Sequence, residues 1–346
     1  MLFYDVCEEI RLDELRELLA AQRQRPAFKH PAAQQVRVEH PPVVESLAPV
    51  VIDGESVEIQ IKYYDYGVVS VLFQRPFCGD WPTLVELSSN WISGSALEQH
   101  AAHIVREKLK RATPALVKPY QDWLSEDYYI FLLTSIAGNP TAGDLIARHG
   151  GEISRTVRGE LGCLSAGEQT EVLQSSISYY PNDVAIIGWN AALVYDTPAG
   201  AETAIQILEY ANSQLLEFRH YDEYLTGELA AAYRLLDRGT GVLARWRLAQ
   251  AANKLHAVTL EVTELAERVD NAIKFLSDMF SARLYRIAAA KVGVPDYKDL
   301  VTRKLVTARS LYAFMVEQFQ QSRAFVLELM VVIILVIELV FLFRGK

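Results

Sequence analysis

The sequence is poor in cysteine and lacks an excess of basic residues, and both features narrow the classes of protein it can encode. Its three cysteines, Cys7, Cys78 and Cys163, lie far apart and form no CxxC motif. A disulfide framework or a zinc knuckle is therefore not expected, and a reducing compartment is the simpler interpretation. With 34 basic and 43 acidic side chains, the chain has a net charge of −9. We expect no direct, sequence-specific binding of nucleic acid, because such proteins present a basic surface.

The sequence also lacks the short motifs that mark common enzyme classes. It contains no GxxxxGK[ST], GxGxxG, HExxH or GxSxG pattern and no EF-hand loop. One cluster, His100, His103 and Glu107, shares a predicted helix face and could offer metal ligands, but a solvent-exposed face is the simpler interpretation. We therefore predict no cofactor, no metal and no identifiable catalytic residue, and the sequence favours a non-enzymatic protein.

Charge divides the 346 residues into two parts. Residues 1–233 carry 17 basic and 32 acidic side chains, whereas residues 234–346 carry 17 basic and 11 acidic ones. In the acidic part, short strands joined by turns alternate with helices, which predicts an α+β body with antiparallel hairpins. The predicted strands are 2–6, 35–39, 50–52, 57–64, 68–73, 128–133, 184–187 and 191–195.

Two features of the acidic part are candidate contact sites. Asp222 interrupts a three-four spacing of apolar residues in a helix predicted at 199–237, and a carboxylate there needs a partner such as Arg219, His220 or a neighbouring helix. We interpret it as a register-setting contact; simple exposure and a functional acid stay open. The aromatic residues Tyr179, Tyr180 and Trp189 fit either core packing or a patch that binds a protein partner.

The basic part predicts a stalk of two long helices. The first helix is predicted at 242–291, with an apolar seam of steps of three and four from Leu255 to Met279. Gly293 with Pro295 marks a stop and a restart, and the second helix is predicted to begin near Tyr297. The helices form either an intramolecular hairpin or a coiled coil between chains, and we favour a hairpin that also makes a homo-oligomer through one face.

The final segment, 324–343, predicts a membrane anchor. It has twenty residues, all apolar except Glu328 and Glu338, and as a helix it would span about 30 Å, the hydrocarbon thickness of a bilayer. With Arg323, the two glutamates are candidates for contacts with the membrane or within an oligomer. The predicted segments are a body at 1–197, an amphipathic helix packing on it at 198–240, a helical hairpin stalk at 241–322 and one transmembrane helix at 323–343.

Two stretches resemble a known family. The stretch YDYGVVSVLF at 64–73 is similar to an aromatic-Gly-Val-Val strand of the family named for "required for meiotic nuclear division", which includes bacterial YagE-type proteins. The anchor of that family resembles a second set of residues here: Arg323-Ala324, Leu327-Glu328, Met330, the run 331–337, Glu338 and Phe341. The resemblance implies a divergent bacterial member that supports translation or assembly of membrane proteins, and it carries over no catalytic residue.

Together these features predict a tail-anchored scaffold or tether in the bacterial inner membrane, with its body facing the cytoplasm. Its predicted partners are the lipid bilayer, further copies of itself, and a protein or the ribosome. Two alternatives stay open. One is a membrane-anchored enzyme whose site cannot be read from the sequence, and the other is an oligomeric ion channel.

Overall fold

A computed structural model of the chain describes residues 1–19, 22–23, 40–52, 54–94, 96–237, 242–271 and 279–344. The chain divides into two compact units. The first, called the body here, comprises Met1–His220 and Glu267–Tyr297. The second, called the helical unit, comprises Tyr221–Ala266 and Lys298–Lys346. The predicted segment limits at 197, 240 and 322 do not coincide with these divisions.

Within the described residues, the larger sheet of the body has six strands, and every pair of neighbours is antiparallel. Its order is β2-β3-β4-β5-β1-β6. Gly67, in the turn before β5, has φ +95°, and a Cβ there would lie 1.8 Å from the carbonyl oxygen of Cys7 on β1. Only glycine allows this close approach. The strands are β1 Leu2–Ile10, β2 Gln22–Arg23, β3 Val43–Ile52, β4 Glu55–Tyr63, β5 Val68–Gln74 and β6 Leu116–Asp127.

A smaller sheet of four strands has the order β7-β10-β9-β8. Strands β7 and β10 are parallel, whereas β10–β9 and β9–β8 are antiparallel. All residues of β9 and β10 are buried, so these two strands form the interior of the sheet. The strands are β7 Tyr129–Leu133, β8 Ser176–Ile177, β9 Val184–Ile187 and β10 Ala191–Tyr195.

Shorter helices cover the sheets, and several start at a capping side chain. Asp80, Thr141 and Ser165 each accept a hydrogen bond from the backbone N–H three residues later, which satisfies one unpaired donor of the first turn. These caps explain where α2, α4 and α5 begin. The helices of the body are α1 Leu12–Leu19, α2 Trp81–Ser93, α3 Ala96–Ala112, α4 Ala142–Arg158, α5 Ala166–Leu173 and α8 Met279–Val292.

Three long helices supply the helical unit: α6 Pro198–Asp237, α7 Val242–Asn271 and α9 Val294–Arg344. The first part of α6 belongs to the body and its last part to the helical unit. Gly293, with φ +94°, separates α8 from α9 at the predicted break. The small apolar core of the helical unit consists of Leu229, Ala232, Ala252, Leu255, Ala308, Leu311 and Met315.

The structure confirms an α+β body with antiparallel sheets and helices but contradicts the predicted anchor at 323–343. Among the described residues, no helix combines the length and apolar character that crossing a membrane requires. The predictions of a tail-anchored protein with one transmembrane helix and of an inner-membrane location are corrected accordingly.

Candidate functional sites

A polar face of α6 packs against one face of the larger sheet. Ser70 on β5 lies opposite both Phe3 on β1 and Lys62 on β4, so these side chains share that face. The buried polar side chains of α6 recur mostly at steps of three and four, which places many of them on one side of the helix. They are Thr203, Gln206, Glu209, Asn212, Ser213, Gln214 and Glu217.

A buried ion pair lies at the centre of this face. Lys62 Nζ contacts Glu209 Oε2, and the two side chains are only 3% and 1% exposed. Ser70 Oγ donates a hydrogen bond of 3.1 Å to Glu209 Oε1. The Met1 amino group donates a hydrogen bond of 2.9 Å to the Tyr128 carbonyl oxygen. Burial lowers the pKa of this amino group to about 6, although the negative charges of Glu209 and Asp127 act to raise it. Removing one member of such a pair leaves an uncompensated buried charge.

A second cluster joins Asp5 of β1 to Glu217 and His220 of α6. His220 Nδ1 lies 2.7 Å from Asp5 Oδ2, and the imidazole stacks on the Tyr120 ring at a centroid distance of 4.6 Å. Burial raises the pKa of Asp5, and hydrogen bonds to His220 and Glu217 oppose that rise. Burial, reinforced by Asp5 and Glu217, also raises the pKa of the Cys7 thiol. The cluster therefore places two carboxyl groups beside an imidazole that is 23% exposed.

Further contacts attach α6 to the body. Arg219 forms an ion pair with Glu126 of β6, and Tyr66 shares a 2.7 Å hydrogen bond with Ser213. Tyr285 of α8 donates to Gln214 Oε1 at 2.6 Å. These bonds satisfy polar groups that would be costly to bury alone. The polar face therefore fixes the position and register of α6 on the sheet.

The predicted seam residue Asp222 lies in the helical unit. Its Oδ1 is 2.5 Å from Lys304 Nζ of α9, and Lys304 also donates to the Asp222 carbonyl oxygen and to the Thr226 hydroxyl. A partner helix thus supplies the contact, whereas the other two candidates pair elsewhere, Arg219 with Glu126 and His220 with Asp5.

Sequence reasoning missed Asp5, Lys62, Glu209 and Glu217. A signal was present, because residues 206, 209, 213, 217 and 220 of α6 are polar and are separated by three or four positions. From sequence, however, only the apolar stripe of this helix predicts a packed face, because a polar stripe is ordinarily a solvent-exposed face. Among the described residues, no group of three or more His, Cys, Asp or Glu side chains could hold a metal ion.

The structure separates the three predicted aromatic candidates. Tyr179 and Tyr180 contact each other edge to face, and Tyr179 also packs on Phe280 of α8. They precede β9, whereas Trp189 follows it in the turn before β10. A four-residue strand extends about 13 Å, so Trp189 lies at the opposite end of β9. All three are exposed, Trp189 most of all at 62%.

The remaining candidates lie on α9. The side chains of Arg323, Glu328 and Glu338 are outside the described residues. Ten large apolar side chains near them are 48–58% exposed. Exposed apolar surface of this extent is typical of interaction sites. The exposed residues are Met330, Val331, Val332, Ile333, Ile334, Leu335, Val336, Ile337, Leu339 and Val340. The predicted homo-oligomer stays a prediction.

The fold defines an α+β body linked to a helical unit. Comparison with known proteins places that body in a family, because the family described as "Uncharacterized protein MJ0711, N-terminal domain" matches residues 1–202. The chain belongs to this family. It is also similar to "Uncharacterized protein MJ0711" of Methanocaldococcus jannaschii, with 19% identity over 289 residues that cover 84% of this chain and 83% of the relative. No solved structure matches the chain significantly. The resemblance to the "required for meiotic nuclear division" family stays a prediction.

Proposed function

We propose that the chain is a non-enzymatic scaffold whose acidic body recruits a basic protein partner, with Trp189 as an anchor of the contact. The observation that carries this proposal is the contrast at the β9–β10 hairpin. All residues of both strands are buried, yet the tryptophan between them is 62% exposed. Tryptophan is enriched among the residues that dominate binding energy at protein interfaces.

The turn that carries Trp189 is held firmly to the body. Gly188 N–H donates to the Ala191 carbonyl oxygen at 2.8 Å, and the Tyr128 hydroxyl donates to the Gly188 carbonyl oxygen at 3.0 Å. A Cβ at Gly188 would lie 2.6 Å from Val157 Cγ1, so α4 packs directly against the turn. An anchor on a fixed support loses little conformational entropy when it binds, which favours affinity.

Charge supports the choice of partner. The two segments of the body, Met1–His220 and Glu267–Tyr297, together carry 33 acidic and 22 basic side chains. Such an excess attracts a surface rich in lysine and arginine and speeds association at low salt. Ribosomal proteins have this character, so a ribosome-associated role falls within the proposal.

Crosslinking and co-purification of the full-length chain test the proposal. We expect a basic partner to be recovered with the unmodified chain, to be lost with Trp189→Ala, and to dissociate as salt rises from about 0.05 to 0.3 M. Tyr233→Ala is the matched control, because Tyr233 is an exposed aromatic residue of the helical unit, 48% exposed. Equal recovery with Trp189→Ala, or an acidic partner unaffected by salt, would contradict the proposal.

A further inference from the structure

The C-terminal part of α9 carries an apolar run without a packed face. Its ten large apolar side chains, at positions 330–337, 339 and 340, are all 48–58% exposed. A helix that packs on a neighbour instead shows buried side chains at steps of three and four. Earlier in α9 that pattern is present, because Ala308, Leu311 and Met315 are buried. None of the ten side chains is therefore packed against another element of the described chain.

The chemistry of the run limits what can cover it. All ten side chains are aliphatic or methionine, and position 338 holds the only charged residue of 330–340. A charged or polar surface placed against the run would lose its hydration without gaining hydrogen bonds. The basic partner proposed for the body therefore does not fit here. A second copy of the same segment does fit, because it offers an equally long apolar surface.

The amount of exposed surface indicates more than two copies. Ten such side chains, each about half exposed, present roughly 300–600 Å² of apolar surface per chain. Two chains together offer roughly 600–1,200 Å², which is the range of weak contacts, whereas three offer roughly 900–1,800 Å². A single neighbouring helix also covers only one side of α9, and this run is exposed on every side.

The sequence of the run favours one helix face as the contact. In associating helices, the facing positions recur at alternating steps of three and four. One set with this spacing leaves out position 338 and consists of Met330, Ile333, Ile337 and Val340. Isoleucine at both kinds of facing position favours three or four helices over two.

We propose that residues 330–340 bind further copies of this chain, forming a bundle of three or more parallel helices with Met330, Ile333, Ile337 and Val340 at its axis. Copies related by a single rotation axis run parallel, so each axial position faces the same position of its neighbours. The contact is separate from the surface around Trp189, and either proposal can fail alone.

Cysteine crosslinking of the full-length chain tests which face makes the contact. The exposed Cys78 and Cys163 are first replaced by serine, which leaves only the buried Cys7. Ile337→Cys places a thiol at the axis, whereas Leu335→Cys places one on the outer side of the helix. Under a mild oxidant we expect about fivefold or more covalent dimer from Ile337→Cys than from Leu335→Cys. Equal yields from the two variants, or no dimer from either, would overturn the proposal.

Sedimentation of the full-length chain without detergent tests the number of copies. We expect the unmodified chain at micromolar concentration to have three or more times the mass of one chain. Ile337→Asn should weaken the association about tenfold or more, because it places an amide at the axis. Val306→Asn is the matched control, because Val306 lies in α9 outside the run and is 58% exposed. Equal effects of the two variants would overturn the proposal, as would a monomeric unmodified chain that binds phosphatidylcholine vesicles or no partner at all.

Discussion

The body and the helical unit are stabilised by different kinds of interior. The body has a large apolar core and, on the other face of its main sheet, a buried polar layer containing the Lys62–Glu209 pair and the Asp5 cluster. The described core of the helical unit is a small set of aliphatic side chains and alanines, with Met315 among them. Its Lys304–Asp222 pair is more exposed, at 25% and 18%. The difference shows that one chain can set helix position by buried charge in one unit and mainly by apolar packing in the other.

Removing one charge from each unit tests this comparison most strongly. Lys62→Met should lower the free energy of unfolding of the body by about 3–5 kcal/mol, because Glu209 would be left as an unpaired buried charge. Lys304→Met should cost the helical unit about 1 kcal/mol or less, because water can reach Asp222. Urea unfolding followed by native-state hydrogen exchange would assign each loss to its unit.

The double variant Lys62→Met with Glu209→Leu is the control for this experiment. It removes both charges and should recover much of the lost stability, because no ion remains to be desolvated. If Lys62→Met costs no more than Lys304→Met, the buried pair does not have the stabilising role assigned to it here.

A cavity created by substitution in the core of the helical unit should destabilise mainly that unit. Met315 is fully buried in the helical unit, and Met315→Ala should cost about 2–3 kcal/mol through lost contacts and residual cavity volume. Because that core is small, we expect faster amide exchange in α7 and the described part of α9, with little change in β1 and β5. Faster exchange throughout β1 and β5 would mean that the two units unfold together.

Much of the fold follows from local sequence, but β6 does not. The hairpins around Gly54, Gly67 and Gly188 lie where turn residues separate apolar runs. Strand β6 contains Pro119, and its Lys118 has φ +46°. A proline argues against a central strand and is tolerated at a sheet edge, which is the position of β6. Only the tertiary pairing with β1, with its register shift between Asp5 and Cys7, makes this segment a strand.

The polar layer could not be assigned from the sequence because its partners are distant along the chain. Lys62 and Glu209 are separated by 147 positions. From sequence alone, the polar stripe of α6 has the pattern of a solvent-exposed face. The stripe is buried because the sheet itself presents Lys62, Ser70 and Asp5 towards it, and no local propensity encodes that match. Asp222 was easier to interpret, since a carboxylate within an apolar stripe demands a partner.

The smallest expected effect is a pH dependence of the body. Burial raises the pKa of Asp5, so this carboxyl contributes stability that is fully present below its ordinary pKa of about 3.9 and is lost as pH rises through its higher folded value. The variant Asp5→Asn has no carboxyl group to ionise at this position. Its free energy of unfolding, relative to that of the unmodified chain, should therefore increase as pH rises from about 4 to 8. Chemical unfolding of both proteins across this range measures the change.

Glu171→Gln should show the opposite trend and serves as the matched control. A hydrogen bond from Lys291 lowers the pKa of Glu171, so its contribution is present above the ordinary pKa and is lost as pH falls through the lower folded value. Replacing it should therefore cost more stability at neutral pH than in acid. A parallel trend for both variants would contradict the opposite environments of these two carboxyl groups. A flat profile for Asp5→Asn would mean that His220 and Glu217 fully offset the burial of Asp5.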